Sequence, residues 1–88
     1  MSRVLNKRAK AYTAFLNERV RMWVIKSETG NSELAKAIGV SRPCIINFKK
    51  AQNDLDHPHL LALGFALGKT YYQITFISEE DKKQLDNK

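Results

Sequence analysis

Arg42, Cys44, Asn47 and Lys49 fall within one short predicted helix, Arg42 to about Lys50, whose Ile45 and Phe48 sit three apart and face inward. That leaves a guanidinium, a thiol, an amide and an ammonium outward, and the basic pair Lys49-Lys50 closes the run. Ile46 is awkwardly placed between the two faces. Donors and positive charge on one rigid element suit non-covalent capture of a polyanion, because basic groups that neutralise phosphates release bound counterions.

Such a helix works only if something holds it. The preceding residues, Glu33-Leu34-Ala35-Lys36-Ala37-Ile38, put apolar side chains at 34, 35, 37 and 38, one face of a second short helix. Gly39 follows, and glycine past a helix end accepts positive φ without a Cβ clash. Ser41 is a natural N-cap, and Pro43 lies in the first turn, where a missing N–H costs little. Ala35 is small enough for close approach, with Leu34, Ile38, Ile45 and Phe48 as the seam. Two short helices joined by a glycine-containing turn form a helix-turn-helix. In a basic chain that unit points to DNA binding; the plain alternative is a helical hairpin that binds no DNA.

The charge is uneven. Residues 1–50 hold 11 Lys and Arg against 3 Asp and Glu, a net +8, and residues 51–88 hold 4 against 6, a net −2. The positive half is the half with the helix pair, and basic clustering concentrates a polyanion nearby. The plain alternative is a solvated basic face. An 88-residue chain, 43% hydrophobic, builds one small domain. It has no apolar run long enough to span a bilayer, and its basic N-terminus lacks the apolar stretch of a secretory signal. The single Cys44 forms no internal disulfide, so a cytoplasmic protein is expected. His57 and His59 flank Pro58 without further metal-ligand spacing. With no nucleophile–base pair, phosphate loop or carboxylate constellation, the expectation is a non-enzyme without cofactor or metal.

Val4–Ser27 reads as one long helix with an apolar stripe at Leu5, Ala9, Tyr12, Leu16, Val20 and Trp23. Phe15, Met22 and Ile25 widen it toward the C-terminal half, which should be the more buried, with Trp23 in the core. Arg3, Lys7, Arg8, Lys10, Arg19 and Arg21 decorate the rest. Gly30 ends this helix or caps the next. After a polar turn at Ala51–His57, Pro58 opens a helix apolar nearly all round, through Leu67, implying a central position. Gly64 within it costs about 1 kcal/mol against Ala and predicts close packing by a neighbour. Thr70 and Gln73 have capping-box spacing and start a short helix carrying Tyr71 and Ile74, with one of Tyr71 and Tyr72 buried and the other exposed. The composition of Tyr71–Ile77 also suits a strand that could pair with its copy in a dimer. Ser78 and Asp81 could cap a last helix, but the end reads as a frayed tail. The division is a basic helical N-terminal extension (1–17), a helix-turn-helix domain (18–77) and a polar C-terminal tail (78–88).

The chain resembles the Cro/repressor (XRE-type) helix-turn-helix family over about Glu18–Ile74. The residues that carry the likeness are Leu34-Ala35, Ile38-Gly39-Val40-Ser41, Ile45 and Phe48. A second block is Leu60-Leu61, Leu63-Gly64 and Ala66-Leu67-Gly68, then Tyr71 and Ile74. Two blocks in order at the right separation are more specific than either alone. There are departures: Asn31 where Gln is common, Pro43 in the recognition helix, Lys49-Lys50-Ala51 in place of a glycine-containing ending, Gly64 for Ala, and the N-terminal extension.

The resemblance implies an all-α fold, a compact bundle of about five helices containing a helix-turn-helix, here with an extended N-terminal helix. It implies a sequence-specific regulator of transcription, a repressor of the kind found in phage and mobile elements. Such a protein acts as a homodimer on a double-stranded DNA operator, with the helix at 42–50 in the major groove. Carried over by position, Arg42, Cys44 and Asn47 contact bases, Arg42 suiting guanine and Asn47 adenine. Asn31, Ser32, Lys36, Ser41, Lys49 and Lys50 contact phosphates. Apart from the resemblance, which does not cover the N-terminal extension, Arg3, Lys7, Arg8 and Lys10 form either a basic arm across the backbone or minor groove or the solvated face of an extended helix. The rival is the same fold binding a protein, such as a repressor, in place of DNA, which the apolar Pro43 and Ile46 favour; a third is non-specific nucleic-acid binding.

Overall fold

The unbroken run before Gly30, without Gly or Pro, forms the spine of the molecule. The computed structural model describes the backbone of residues 3–87 and the side chains of residues 5–87. Among these residues the chain is all-helical, with α1 (Arg3–Lys26), α2 (Asn31–Ile38), α3 (Arg42–Lys49), α4 (His57–Ala66), α5 (Tyr71–Thr75) and α6 (Glu79–Asp86). The 24 residues of α1 span roughly 36 Å at the α-helical rise, which accounts for the 38 Å long dimension of the molecule. Helices α3, α4, α5 and α6 all lie against α1, and α2 lies against α3 and α4. The core is Val20, Val24, Leu34, Ala35, Ile45, Phe48, Leu55, Leu60, Leu63 and Ile74.

The buried line of α1 differs from the apolar stripe expected. It runs through Asn17, Val20, Arg21 and Val24, so only Val20 belongs to both. Leu16 and Trp23 flank it, half-buried, while Leu5, Met22 and Ile25 are exposed. The reason is polar. Asn17 forms a reciprocal pair with Leu55, accepting its N–H at 2.8 Å and donating to its carbonyl at 3.3 Å. Arg21, expected on the surface, donates to the Phe48 carbonyl at 2.6 Å and the Asn53 carbonyl at 3.1 Å. Its guanidinium also meets Glu18 at 2.6 Å and Asp54 at 2.7 Å. Main-chain groups of α3 and of the connection after it, with the Glu18 and Asp54 carboxylates, satisfy both side chains, so their burial is tolerated.

Asp56 caps α4 by accepting the His59 N–H. Leu60, Leu63 and Gly64 face the core, but Phe65 is exposed, because neighbours cover α4 on only part of its circumference. A Cβ at Gly64 would collide with the Cδ1 and Cγ1 atoms of buried Ile74, so the expected close approach is made by α5. The capping box at Thr70 and Gln73 is present and Tyr71–Thr75 is helical, not a strand. Arg19 donates to the carbonyls of Ile74 and Phe76 and closes the end of α5. Tyr71 and Tyr72 are both exposed, contrary to expectation, since Ile74 alone turns inward on this single turn. The C-terminal segment is α6 rather than a frayed tail. Ser78 caps it, Leu85 is buried, and Asp86 meets Arg8 at 2.9 Å and the Tyr12 hydroxyl at 3.0 Å. Among the described residues no helix is long and apolar enough to cross a membrane.

Candidate nucleic-acid interface

The turn between α2 and α3 is built as its residue types require. Gly39 adopts φ 77°, ψ 33° at the end of α2, and the N–H groups of Gly39 and Val40 both return to the Ala35 carbonyl. Ser41 accepts the Cys44 N–H at 3.3 Å, and Pro43 occupies the first turn. Ala35, buried at the crossing, lets α2 and α3 approach, while Leu34, Ile45 and Phe48 are fully enclosed. Lys49 donates to the Asn31 side-chain oxygen at 2.9 Å, tying the last residue of α3 to the first of α2.

The far end of α3 is fixed by three contacts. The Gln52 N–H reaches back to the Asn47 carbonyl and the Ala51 N–H to the Phe48 carbonyl. This is the paired pattern that ends helices at a left-handed residue, and Ala51 takes that role at φ 59°. The glycine ending that the sequence lacks is therefore replaced by an alanine in the same backbone state. Arg21 then adds its bond to the Phe48 carbonyl, with its guanidinium 4.6 Å from the Phe48 ring centre. A cation at the carbonyl end of a helix is favoured by the aligned peptide dipoles.

With Ile45 and Phe48 inward, helical periodicity makes Pro43, Ile46, Asn47 and Lys50 the outward ridge of α3, at i, i+3, i+4 and i+7. Pro43, Asn47 and Lys50 are exposed, and Ile46 is half-buried. Arg42, exposed, flanks this ridge at its N-terminal end. Cys44 sits on the other flank, half-buried and packed against the core, so it is not a free member of the outer face. The sequence reading missed that Ile46 and Lys50 belong to the ridge. The signal was available, since two inward residues three apart define the outward set. Of the expected phosphate contacts, Ser32, Lys36, Ser41 and Lys50 are exposed. Asn31 and Lys49 are half-buried and paired with each other, and the Ser41 hydroxyl is engaged as a cap.

Elsewhere, Lys7, Arg8 and Lys10 are exposed on α1, whereas the Arg3 side chain lies outside the described residues. Trp23 carries Lys69 over its ring at 5.0 Å. His59 lies against Asp56, and among the described residues no three His, Cys, Asp or Glu side chains are grouped to hold a metal ion. No family model matches the chain, and no curated protein or solved structure matches it either.

Proposed function

We propose that this protein binds double-stranded DNA sequence-specifically and regulates transcription, with α3 in the major groove. The observation that carries the reading is a rigid α2–turn–α3 unit whose outer ridge projects Pro43, Asn47 and Lys50 beside Arg42. An α-helix with its side chains is about 10–12 Å across, and a major groove about 12 Å wide admits one. In this reading Arg42 and Asn47 contact base edges, and Pro43 and Ile46 supply apolar surface of the kind that meets a thymine methyl. Ser32, Ser41, Lys36 and Lys50 meet phosphates, and Lys49 braces Asn31. The likeness to Cro/repressor domains supports the same arrangement and adds a homodimer on two half-sites about one helical turn apart. Exposed Tyr71, Tyr72 and Phe76 are the surface offered for that dimer. Repression then follows from occupying DNA that polymerase or another regulator needs.

The test is replacement of Arg42 and Asn47 by alanine, which should abolish sequence preference while leaving the fold intact. Unchanged preference contradicts the assignment. The apolar pair Pro43 and Ile46 on the outer face favours a second reading, a module that binds another protein through α3. Salt separates the two: phosphate-mediated binding weakens linearly in log K against log salt, while a mainly apolar interface changes little.

A further inference from the structure

The N-terminal turns of α1 extend past the enclosed body of the protein. Asn17 is the first residue of α1 that is fully buried, and the stretch from Leu5 to it spans roughly 18 Å. Along α1 the inward side is marked by Asn17, Val20, Arg21 and Val24. One to three turns earlier the same side carries Thr13, Lys10 and Asn6. These three, with Ala9 and Ala14, wall an open depression of about 470 Å³ whose other wall is Asp54 of the α3–α4 connection. Lys7 stands one turn from Lys10 on the margin of this side. Arg8 and Tyr12 lie on the opposite side, occupied by Asp86 of α6. The overhang therefore sorts its cations: Arg8 is paired, whereas Lys10 is exposed on the side that faces the connection following α3 and Lys7 is exposed at its margin.

We propose that this overhang is a second phosphate-binding surface, on which Lys7 and Lys10, with the Asn6 amide, take the backbone of duplex DNA flanking the segment held by α3. The inference rests on the reading of α3 as a DNA-binding helix. Three observations bear on the kind of partner. The side presents Asn6, Lys10 and Thr13, with exposed Lys7 at its margin, and its lining holds no Leu or Phe. Its one lining acid, Asp54, is held by Arg21 at 2.7 Å, a cation it shares with Glu18 at 2.6 Å. The connection, which itself carries Asp54 and Asp56, leads from this side to exposed Lys50 at the end of α3. A surface of this kind adds affinity and counterion release without reading sequence.

The probe is a mixed-sequence duplex of about 30 base pairs, roughly three helical turns, titrated over a range of salt with the full chain. The variants are Lys7→Gln/Lys10→Gln and, matched in charge, Lys82→Gln/Lys83→Gln on α6. The first should lower the slope of log K against log salt by about 1.8, at about 0.9 per phosphate contact, with an unchanged thermal midpoint. The second should leave the slope as in the wild type. Equal slopes for all three proteins, or the same loss in both variants, overturn the proposal while the α3 reading stands. A wild type without salt-dependent duplex binding overturns both.

Discussion

Arg21 donates its Nε hydrogen to the main-chain carbonyl of Phe48 at 2.6 Å while its guanidinium stacks 4.6 Å from the Phe48 ring centre. One buried cation thus holds both the side chain and the carbonyl end of α3, and the same guanidinium reaches Asn53 and Asp54 in the next connection. The candidate DNA-binding helix is set at its N-terminus by Ser41 and at its C-terminus by this arginine.

Replacing Arg21 by methionine keeps much of the apolar stem but leaves the carbonyls of Phe48 and Asn53 without this donor. Hydrogen bonds from charged groups contribute about 1.5–3 kcal/mol, so a loss of about 2–3 kcal/mol is expected in urea unfolding. Glu18→Gln and Asp54→Asn should each cost under about 1 kcal/mol, because both acids are mostly exposed and screened. Equal losses for all three would contradict the ranking.

Ala51 holds a left-handed backbone at φ 59°, a state that costs a residue with a Cβ about 1–2 kcal/mol. Ala51→Gly should therefore stabilise the protein by about 0.5–1 kcal/mol, after the larger unfolded-state freedom of glycine is counted. A lower thermal midpoint in the glycine variant would refute this view of the α3 ending.

Gly64→Ala should destabilise by about 1–2 kcal/mol, since overpacking in a core outweighs the better helix propensity of alanine. The new methyl meets the Ile74 side chain, which is fully buried and has nowhere to retreat. Pairing Gly64→Ala with Ile74→Val should cost less than the sum of the single changes, a coupling that a double-mutant cycle reads directly. Strict additivity would place the strain elsewhere.

The hydrogen bonds from the His59 ring and, next, the His59 main chain hold the Asp56 carboxyl below its ordinary value near 3.8. A carboxyl lowered in the folded state contributes stability that is present above its unfolded value and is lost as pH falls through the folded value. Acid should therefore weaken the α4 cap in the window just below 3.8. Asp56→Asn retains a capping oxygen and should flatten that part of the stability–pH curve. An unchanged curve would remove Asp56 from the acid response.

The local chemistry was legible in the sequence. Gly39, Ser41 and Pro43 specify the α2–α3 turn through backbone rules that need no distant partner. The capping box at Thr70 and the close approach at Gly64 are likewise local signals that the fold keeps. The burial of Asn17 and Arg21 was not legible. Their partners, Leu55 and Phe48, lie 38 and 27 residues away, and apolar periodicity assigns polar residues to the surface by default. The same limit misplaced the C-terminal segment, since Leu85 is its one buried anchor and finds α1 only in three dimensions. The half-buried flanking position of Cys44 and the outward ridge through Ile46 could have been derived from Ile45 and Phe48 alone.

The central claim is that α3 reads duplex sequence. Its most direct test is selection of bound duplexes from a random pool at about 150 mM salt, where exposed charges are screened beyond about 8 Å. The account predicts enrichment of a palindromic motif with half-sites about one helical turn apart, lost when Arg42 and Asn47 are replaced by alanine. A folded protein that enriches no motif would contradict it.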